Sequence, residues 1–211
     1  PLAPARPFRH PAPGRPVALL NFGKIQRYKG LGELVVAMDG LADAEAHLTV
    51  TGMRHDDDIA DALLAAAAAR GDIDARITTA PLSDAEVEAA VDAADGVVLP
   101  YRDILNSGAA LLALSRNRPV LVPAMGAMPE LSAAVGPGWV HLYEPPLSAG
   151  ALGRFARAVR APRAAAPDLS RHTWRRLGDE VAAFLHGLCA DRKAFPQRGT
   201  ANFGRNSIKD N

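Results

Sequence analysis

Cysteine, net charge and long apolar runs are all scarce in this chain, and each scarcity excludes a class of protein. Cys189 is the only cysteine among 211 residues, so no disulfide can form within the chain, which fits a reducing compartment. The net charge of +1 gives no overall field to attract nucleic acid or an anionic membrane. No apolar stretch reaches the ~20 residues that a membrane span requires. The composition therefore predicts a cytoplasmic protein without nucleic-acid partners or transmembrane segments.

The two ends of the chain differ in composition from the part between them. Residues 1–16 are rich in proline and arginine and lack the apolar stretch of a secretory signal, so they predict an extended linker. The polar residues 190–211 predict a mobile tail. Residues 17–189 are long enough for one α/β domain with a terminal helix. Because the chain begins with Pro1 rather than Met, we expect further sequence upstream.

Short, mostly apolar segments alternate with helix-forming segments along most of the chain. The strand candidates are Val17–Phe22, Ala46–Gly52, Asp74–Thr79, Gly96–Pro100, Pro119–Pro123 and Trp139–Tyr143. The helix candidates are Leu31–Leu41, Asp57–Arg70, Asp84–Ala94, Ser107–Arg116, Met128–Val135, Leu147–Val159 and Leu169–Leu188. This alternation predicts an α/β protein with a doubly wound parallel sheet of about six strands. Ser83 and Glu86 form a capping-box pattern that marks the start of the third helix.

The turn after the first strand candidate carries the strongest functional signal. Gly23 and Gly30 enclose Lys24, Arg27 and Lys29 between an apolar strand and a helix. Glycines let the backbone approach a ligand, a helix N-terminus presents free N–H groups, and lysines add positive charge. The turn therefore predicts a diphosphate-binding loop. The alternative is that its three cations are solvated loop charges.

Two further turns follow strand candidates at the same edge of the predicted sheet. The turn after the fourth strand ends in Asn106, Ser107 and Gly108, where a hydroxyl and backbone amides can hold phosphate oxygens. The turn after the fifth strand is Ala124–Ala127. Because ligands of parallel sheets bind at the carboxyl ends of the strands, we predict that the three turns share one anion site.

Each of these residues also has a purely structural interpretation. Ser107 would cap its own helix, Arg102 and Asp103 would pair at the surface, and Gly126 would only mark a turn. The sequence His55–Asp58 resembles a metal-binding cluster. However, adjacent residues do not converge on one ion without a specially shaped loop, so we interpret this cluster as the cap of the second helix and predict no metal site.

Four motifs, in their order along the chain, resemble retaining GT4-type glycosyltransferases of the GT-B fold. Phe22–Gly30 is similar to the Gly-Arg…Lys-Gly loop of that family, with Lys24 where the family has arginine. The other three motifs are Thr79–Ser83, Asp95–Pro100 and Arg118–Leu131. The resemblance extends over about residues 17–143. It implies a Rossmann-like, donor-binding domain that forms the C-terminal half of a two-domain enzyme.

The resemblance also implies roles for individual residues. The donor-diphosphate set would be Gly23, Lys24, Lys29, Asn106, Ser107 and Gly108. Lys24 and Lys29 would be catalytic because they stabilise the charge that develops on the leaving nucleoside diphosphate. The turn at Ala80, Pro81 and Leu82 would face the nucleobase.

The implied partners are a nucleotide-sugar donor and an acceptor that the sequence does not identify, in polysaccharide or glycolipid synthesis. No cofactor or metal is implied. In this family an acceptor-binding domain precedes the donor-binding domain, so this chain alone would lack half of the active cleft. The implied location is the cytoplasm. Peripheral attachment of the missing half would place the enzyme at the inner face of a membrane.

The sequence departs from the family where two glutamates would serve the sugar and the ribose. Ile104 and Leu112 occupy those places, and neither side chain accepts a hydrogen bond. One branch of the family also reads Tyr-Arg-Asp-Ile-Leu-x-Ser-Gly at this point, so activity need not be lost. Asp103 is the candidate substitute for a sugar or ribose contact.

The sequence leaves two other functions open. A glycosyltransferase-like domain without either glutamate would bind a nucleotide or a protein and catalyse nothing. A dinucleotide-dependent enzyme is disfavoured, because the first loop lacks the Gly-x-Gly-x-x-Gly pattern and the second strand ends at Thr51-Gly52 without an acidic residue.

Overall fold

A computed structural model of the chain describes residues 8, 10–41 and 45–172. The described residues up to Leu169 belong to one compact unit, and the described part of the second unit is a single 3-10 turn at Ser170–His172. Most of the terminal helix predicted at 169–188, and the whole tail predicted at 190–211, lie outside the described residues.

Six parallel strands form a single sheet in the order β3-β2-β1-β4-β5-β6. The strands are β1 (Val17–Phe22), β2 (Ala46–Met53), β3 (Ile73–Thr78), β4 (Gly96–Val98), β5 (Val120–Pro123) and β6 (Val140–Tyr143). The helices are α1 (Leu31–Asp39), α2 (Asp57–Ala69), α3 (Asp84–Ala93), α4 (Gly108–Ser115), α5 (Met128–Val135) and α6 (Ala149–Val159). The predicted doubly wound α/β sheet of six parallel strands is confirmed.

Each face of the sheet has its own apolar core. On one face, side chains of β1 and β2 pack with α1, α2 and α6, represented by Leu34, Leu63 and Phe155. On the other face, α3, α4 and α5 cover the sheet with residues such as Val91 and Leu114. Burial on both faces explains why the strands are apolar without a strict alternation of polar residues.

Strand β4 is shorter than predicted, and the reason is Pro100. The ladder continues one residue past Val98, because the N–H of Leu99 donates to Leu121 O at 2.9 Å. Pro100 has no N–H to donate, so regular pairing ends there. Its carbonyl oxygen instead lies against Gly30 at the start of α1. The end of β4 is therefore also the point where the loops after β1 and β4 approach each other.

The described part of the proline-rich segment packs against the domain. The guanidinium of Arg15 lies 2.7 Å from Asp95, whose other oxygen accepts the N–H of Ala18 at 2.8 Å. The ring of Phe8 meets Trp139 edge to face, with 6.3 Å between ring centroids. The predicted linker therefore includes residues that contact the domain. Within the described residues, no helix combines the length and apolar character that crossing a bilayer requires.

The capping box predicted at α3 is present in full. Glu86 N–H donates to Ser83 Oγ at 3.3 Å, and the Glu86 carboxylate accepts the backbone N–H of Ser83 at 2.8 Å. We expect Ser83→Ala to lower Tm by about 2–4 °C, because the exposed amide at the helix start loses its acceptor. A thermal melt checks this, with Ser83→Thr as the variant that keeps the hydroxyl. Equal melting of Ser83→Ala and wild type would show that the cap contributes nothing.

Candidate functional site

Three loops meet at the carboxyl edge of the sheet. They are the basic loop (Gly23–Gly30) after β1, the β4 loop (Tyr101–Ser107) and the β5 loop (Ala124–Ala127). The N–H of Arg102 donates to Tyr28 O at 2.8 Å, and the N–H of Ala127 donates to Leu105 O at 2.8 Å. The prediction that these turns lie together is thus confirmed, while the ligand roles assigned to their residues stay predictions.

The strand order places two of these loops at the switch point of the sheet. Strands β1 and β4 are neighbours, with β2 and β3 on one side and β5 and β6 on the other. The connections after β1 and β4 therefore diverge to opposite sides and leave a crevice between them. Ligands of open α/β sheets bind in such a crevice.

A cleft of about 400 Å³ opens between the basic loop and the β4 loop. This volume is within the range of small-molecule sites, roughly 300–1,000 Å³. The lining residues are Tyr28, Lys29, Tyr101, Asp103, Ile104, Leu105, Asn106, Ser107, Gly108 and Ala109. The structure therefore brings Lys29 of the first predicted motif together with Asn106, Ser107 and Gly108 of the second.

Lys29 is a buried cation in the lining of this cleft. The residue is 7% exposed, and Nζ lies 3.4 Å from the carbonyl oxygen of Phe22 and 6.0 Å from the centroid of the Tyr101 ring. Burial, and then the nearby charge of Lys24, lower the pKa of Lys29. Within the described residues Lys29 has no ion pair with a carboxylate, so a bound anion would supply its missing counter-charge.

Lys24 differs from Lys29 in being exposed and in lying outside the lining of the cleft. Its charge acts on Lys29 through space rather than through a shared contact. The glycine before it has a steric role. Gly23 has φ +108°, and a Cβ there would lie 2.6 Å from the Nζ of Lys29. A side chain at Gly23 would therefore displace the Lys29 ammonium.

The first turn of α4 also lines the cleft. Ser107 Oγ accepts the N–H of Ala110 at 3.1 Å, so the predicted alternative of a helix cap is correct for this hydroxyl. Gly108 and Ala109 line the cleft, and the first turn of a helix leaves their N–H groups without an intrahelical acceptor. The anion-binding potential of this turn is therefore in its backbone rather than in the Ser107 side chain.

The surface pair predicted between Arg102 and Asp103 does not form. Arg102 Nε donates instead to Glu33 on α1 at 2.9 Å, and this ion pair ties the β4 loop to the helix that follows the basic loop. Asp103 is exposed and lines the cleft. Its carboxylate is therefore available to a ligand, which is compatible with the predicted sugar or ribose contact.

The predicted nucleobase loop lies apart from the cleft. Ala80, Pro81 and Leu82 follow β3, the edge strand, which is separated from β1 by β2. Thr78 Oγ1 donates to Ala80 O at 2.7 Å and holds the start of this loop. None of these three residues lines the cleft, so their contact with a nucleobase stays a prediction.

The cluster at His55–Asp58 supplies Asp57 and Asp58 to the first turn of α2, as predicted, and it also contacts the basic loop. Among the described residues, no group of three or more His, Cys, Asp or Glu side chains is placed to bind a metal ion. Asp56 occupies the N-cap position of α2 but makes no side-chain cap hydrogen bond, so the predicted capping role is wrong for this residue. Its carboxylate instead accepts the backbone N–H of Arg27 at 2.7 Å.

The cleft has an aromatic wall that was not predicted from the sequence. The rings of Tyr28 and Tyr101 are nearly parallel, with 6.1 Å between centroids and 14° between planes. Burial raises the pKa of the Tyr101 phenol, so it is a neutral hydrogen-bonding group at ordinary pH. The available signal was the position of both tyrosines in turns that follow adjacent strands. To predict that the two tyrosines lie together, one must know that β1 and β4 are neighbours in the sheet. The periodicity of the sequence does not give the order of the strands.

Comparisons with known proteins give relatives in sequence and in structure. No protein-family model matches the chain. Over 186 residues the chain is 40% identical to a GDP-mannose:glycolipid 4-beta-D-mannosyltransferase of Xanthomonas campestris pv. campestris, a match that covers 86% of this chain and 51% of that protein. A second protein of the same name is equally similar. The chain thus spans about half the length of the curated relatives it matches.

Among solved structures, a sucrose-phosphate synthase from Thermosynechococcus elongatus matches with a TM-score of 0.58 and 20% identity, covering 84% of this chain and 46% of that chain. The C-terminal domain of a glycosyl transferase group 1 family protein from Francisella tularensis matches with a TM-score of 0.51 and 18% identity, covering 69% of this chain and 84% of that one. At such identities a match shows the fold alone. The described domain therefore has the fold of the C-terminal domain of a group 1 glycosyl transferase.

Proposed function

We propose that this chain is the donor-binding part of a glycosyltransferase that transfers a sugar from a nucleoside-diphosphate sugar to a glycolipid acceptor. The names of the curated relatives support GDP-mannose as the donor. Acceptor binding is assigned to a separate domain, as the family resemblance implies, and a glycolipid acceptor would bring the protein to a membrane surface.

The observation that carries this proposal is the buried ammonium of Lys29 in a cleft at the switch point of the sheet. Burying a cation without a counter-charge is unfavourable, so its retention at 7% exposure is explained by a ligand that supplies negative charge. Gly108 and Ala109 line the same cleft, and the free N–H groups of a helix's first turn favour an anion. A diphosphate between Lys29 and α4 satisfies both groups.

In the proposed reaction the protein acts mainly through electrostatics. Negative charge grows on the leaving nucleoside diphosphate as the glycosidic bond breaks. Lys29, the α4 amides and the more distant Lys24 would stabilise that charge in preformed positions, which is an effective way to lower a barrier. These groups supply the positive charge themselves, so we propose that donor binding and transfer need no divalent cation or other cofactor.

The stereochemical course is a separate question. The resemblance to GT4-type enzymes implies retention of the anomeric configuration. The relatives are named for a 4-beta-linked product, and a β-linked product from an α-linked sugar nucleotide would require inversion, so their name does not support retention. Proton NMR of the product linkage decides between the two outcomes.

The proposal is tested by calorimetry of the 211-residue chain with GDP, GDP-mannose, UDP and ADP, each with and without EDTA. We expect GDP and GDP-mannose to bind more tightly than UDP and ADP. Their affinities should be the same with and without EDTA. At 100 times its dissociation constant, a bound ligand stabilises the fold by about 2.7 kcal/mol, so thermal shift gives an independent readout. A folded sample that binds no nucleotide in either assay would overturn the proposal. Binding by a longer protein that performs no transfer would favour the non-catalytic alternative.

A further inference from the structure

The basic loop is held in place from the side of β2 as well as from the β4 loop. Ile25 N–H donates to Met53 O at 2.8 Å, and Asp56 N–H donates to Ile25 O at 3.0 Å. Gly52 allows this approach, because a Cβ there would lie 1.6 Å from the carbonyl oxygen of Gly23. The turn between β2 and α2 therefore runs directly alongside the loop that carries Lys29.

One side chain of that turn reaches the basic loop. The carboxylate of Asp56 accepts the backbone N–H of Arg27 through Oδ2 at 2.7 Å, and its Oδ1 lies 2.9 Å from His55 Nδ1. The hydrogen bond from His55, followed by that from the Arg27 backbone, lowers the pKa of Asp56. The carboxylate is therefore ionised at neutral pH, and its bond to the Arg27 N–H is charge-assisted, with the Asp56 side chain 28% exposed.

The hydrogen bond between Asp56 and Arg27 affects the position of Lys29, because Arg27 and Lys29 belong to the same turn. Arg27–Lys29 is a single 3-10 turn, closed by the N–H of Gly30 on Arg27 O at 3.2 Å. Fixing the N–H of Arg27 fixes the first residue of the turn whose last residue is Lys29. The second link, between the Arg27 guanidinium and Asp58, joins two groups that are each 62% exposed, so it contributes little.

We propose that Asp56 is a positioning residue of the diphosphate site: its carboxylate sets the turn that places the Lys29 ammonium in the cleft. Asp56 itself touches the loop backbone and not the ligand. This inference rests on the proposed function. The proposal extends that function in one respect: donor affinity would depend on a carboxylate in the connection between β2 and α2. A negative charge that supports an anion-binding site is not expected from the lining of the cleft alone.

The test compares Asp56→Ala and Asp56→Asn with Asp57→Ala in the 211-residue chain, using GDP and inorganic pyrophosphate as probes. Asp57 is the matched control, because it adjoins Asp56 but pairs with Arg54 and not with the basic loop. We expect Asp56→Ala to weaken binding of both probes about tenfold, as a displaced binding group would. Asp56→Asn keeps an oxygen acceptor and is expected to recover most of that loss, while Asp57→Ala binds as wild type does.

Hydrogen exchange supplies a readout that does not depend on the ligand. We expect the Arg27 amide to exchange faster in Asp56→Ala than in wild type or Asp57→Ala. If the wild type binds the probes and Asp56→Ala binds them equally well, or loses no more affinity than Asp57→Ala does, the positioning role is overturned. The proposed function would then still stand. Absence of GDP and pyrophosphate binding in wild type would overturn both.

Discussion

Lys29→Met is expected to weaken GDP binding by about 10- to 100-fold while raising the melting temperature of the free protein. The loss corresponds to one hydrogen bond with a charged group, roughly 1.5–3 kcal/mol. The gain in stability follows from the burial of Lys29, whose pKa is lowered in the folded state. A cation with a lowered pKa destabilises the fold while it is protonated, and methionine fills similar space without a charge.

Calorimetry and thermal melts of the same samples check both halves of this prediction. Lys24→Met is the control, because Lys24 is exposed and outside the cleft lining, so it should weaken binding only a few-fold and leave Tm unchanged. Wild-type affinity for GDP should also fall as the pH rises through the lowered pKa of Lys29, below the ordinary lysine value of 10.5. Full GDP binding by Lys29→Met would remove Lys29 from the site.

Gly30→Ala is expected to be among the most damaging substitutions in the chain. Gly30 has φ +64°, which costs a non-glycine residue about 1–2 kcal/mol, and a Cβ there would lie 1.9 Å from the carbonyl oxygen of Pro100. Because both partners are backbone, relief requires moving either the basic loop or the end of β4. We expect a loss of several kcal/mol, a large part of the roughly 5–15 kcal/mol that stabilises a typical domain.

Gly32→Ala provides a control of opposite sign, two residues away. Gly32 is the second residue of α1, and a Cβ there meets nothing within 4 Å. Alanine is favoured over glycine in a helix interior by about 0.5–1 kcal/mol, so this variant should be more stable than wild type by up to that amount. Urea unfolding of both variants measures the two free energies of unfolding. A Gly30→Ala protein as stable as wild type would show that the close approach of Gly30 to Pro100 is not required.

Features that depend on neighbours in sequence were predictable. The capping box of Ser83 and Glu86 is a four-residue pattern and forms as expected. Helix α5 has the predicted bounds Met128–Val135, and β2 extends only one residue past its prediction, to Met53. Local hydrogen bonding and the period of apolar residues determine such elements, and both can be seen in a short window of sequence.

Pairings between distant residues were not predictable. Arg102 adjoins Asp103 in sequence but pairs with Glu33, and Asp56 bonds Arg27 across 29 positions instead of capping its own helix. In each case a partner closer in sequence exists: Asp103 for Arg102, and the first-turn amides of α2 for Asp56. Which one is chosen depends on the strand order and on the course of the loops, and these become defined only when the sheet assembles.

The amino-acid sequence by itself determined the α/β class, the succession of strands and helices, and the loops at the carboxyl ends of β1, β4 and β5. Those features follow from apolar periodicity, glycine positions and turn chemistry, which act locally. The tertiary structure decided that Lys29 is buried while Lys24 is exposed, that the cleft has an aromatic wall, and that Asp56 supports the basic loop. The physical reason is that burial and hydrogen-bond partners depend on which strands lie side by side, and long-range packing of the whole chain sets that order.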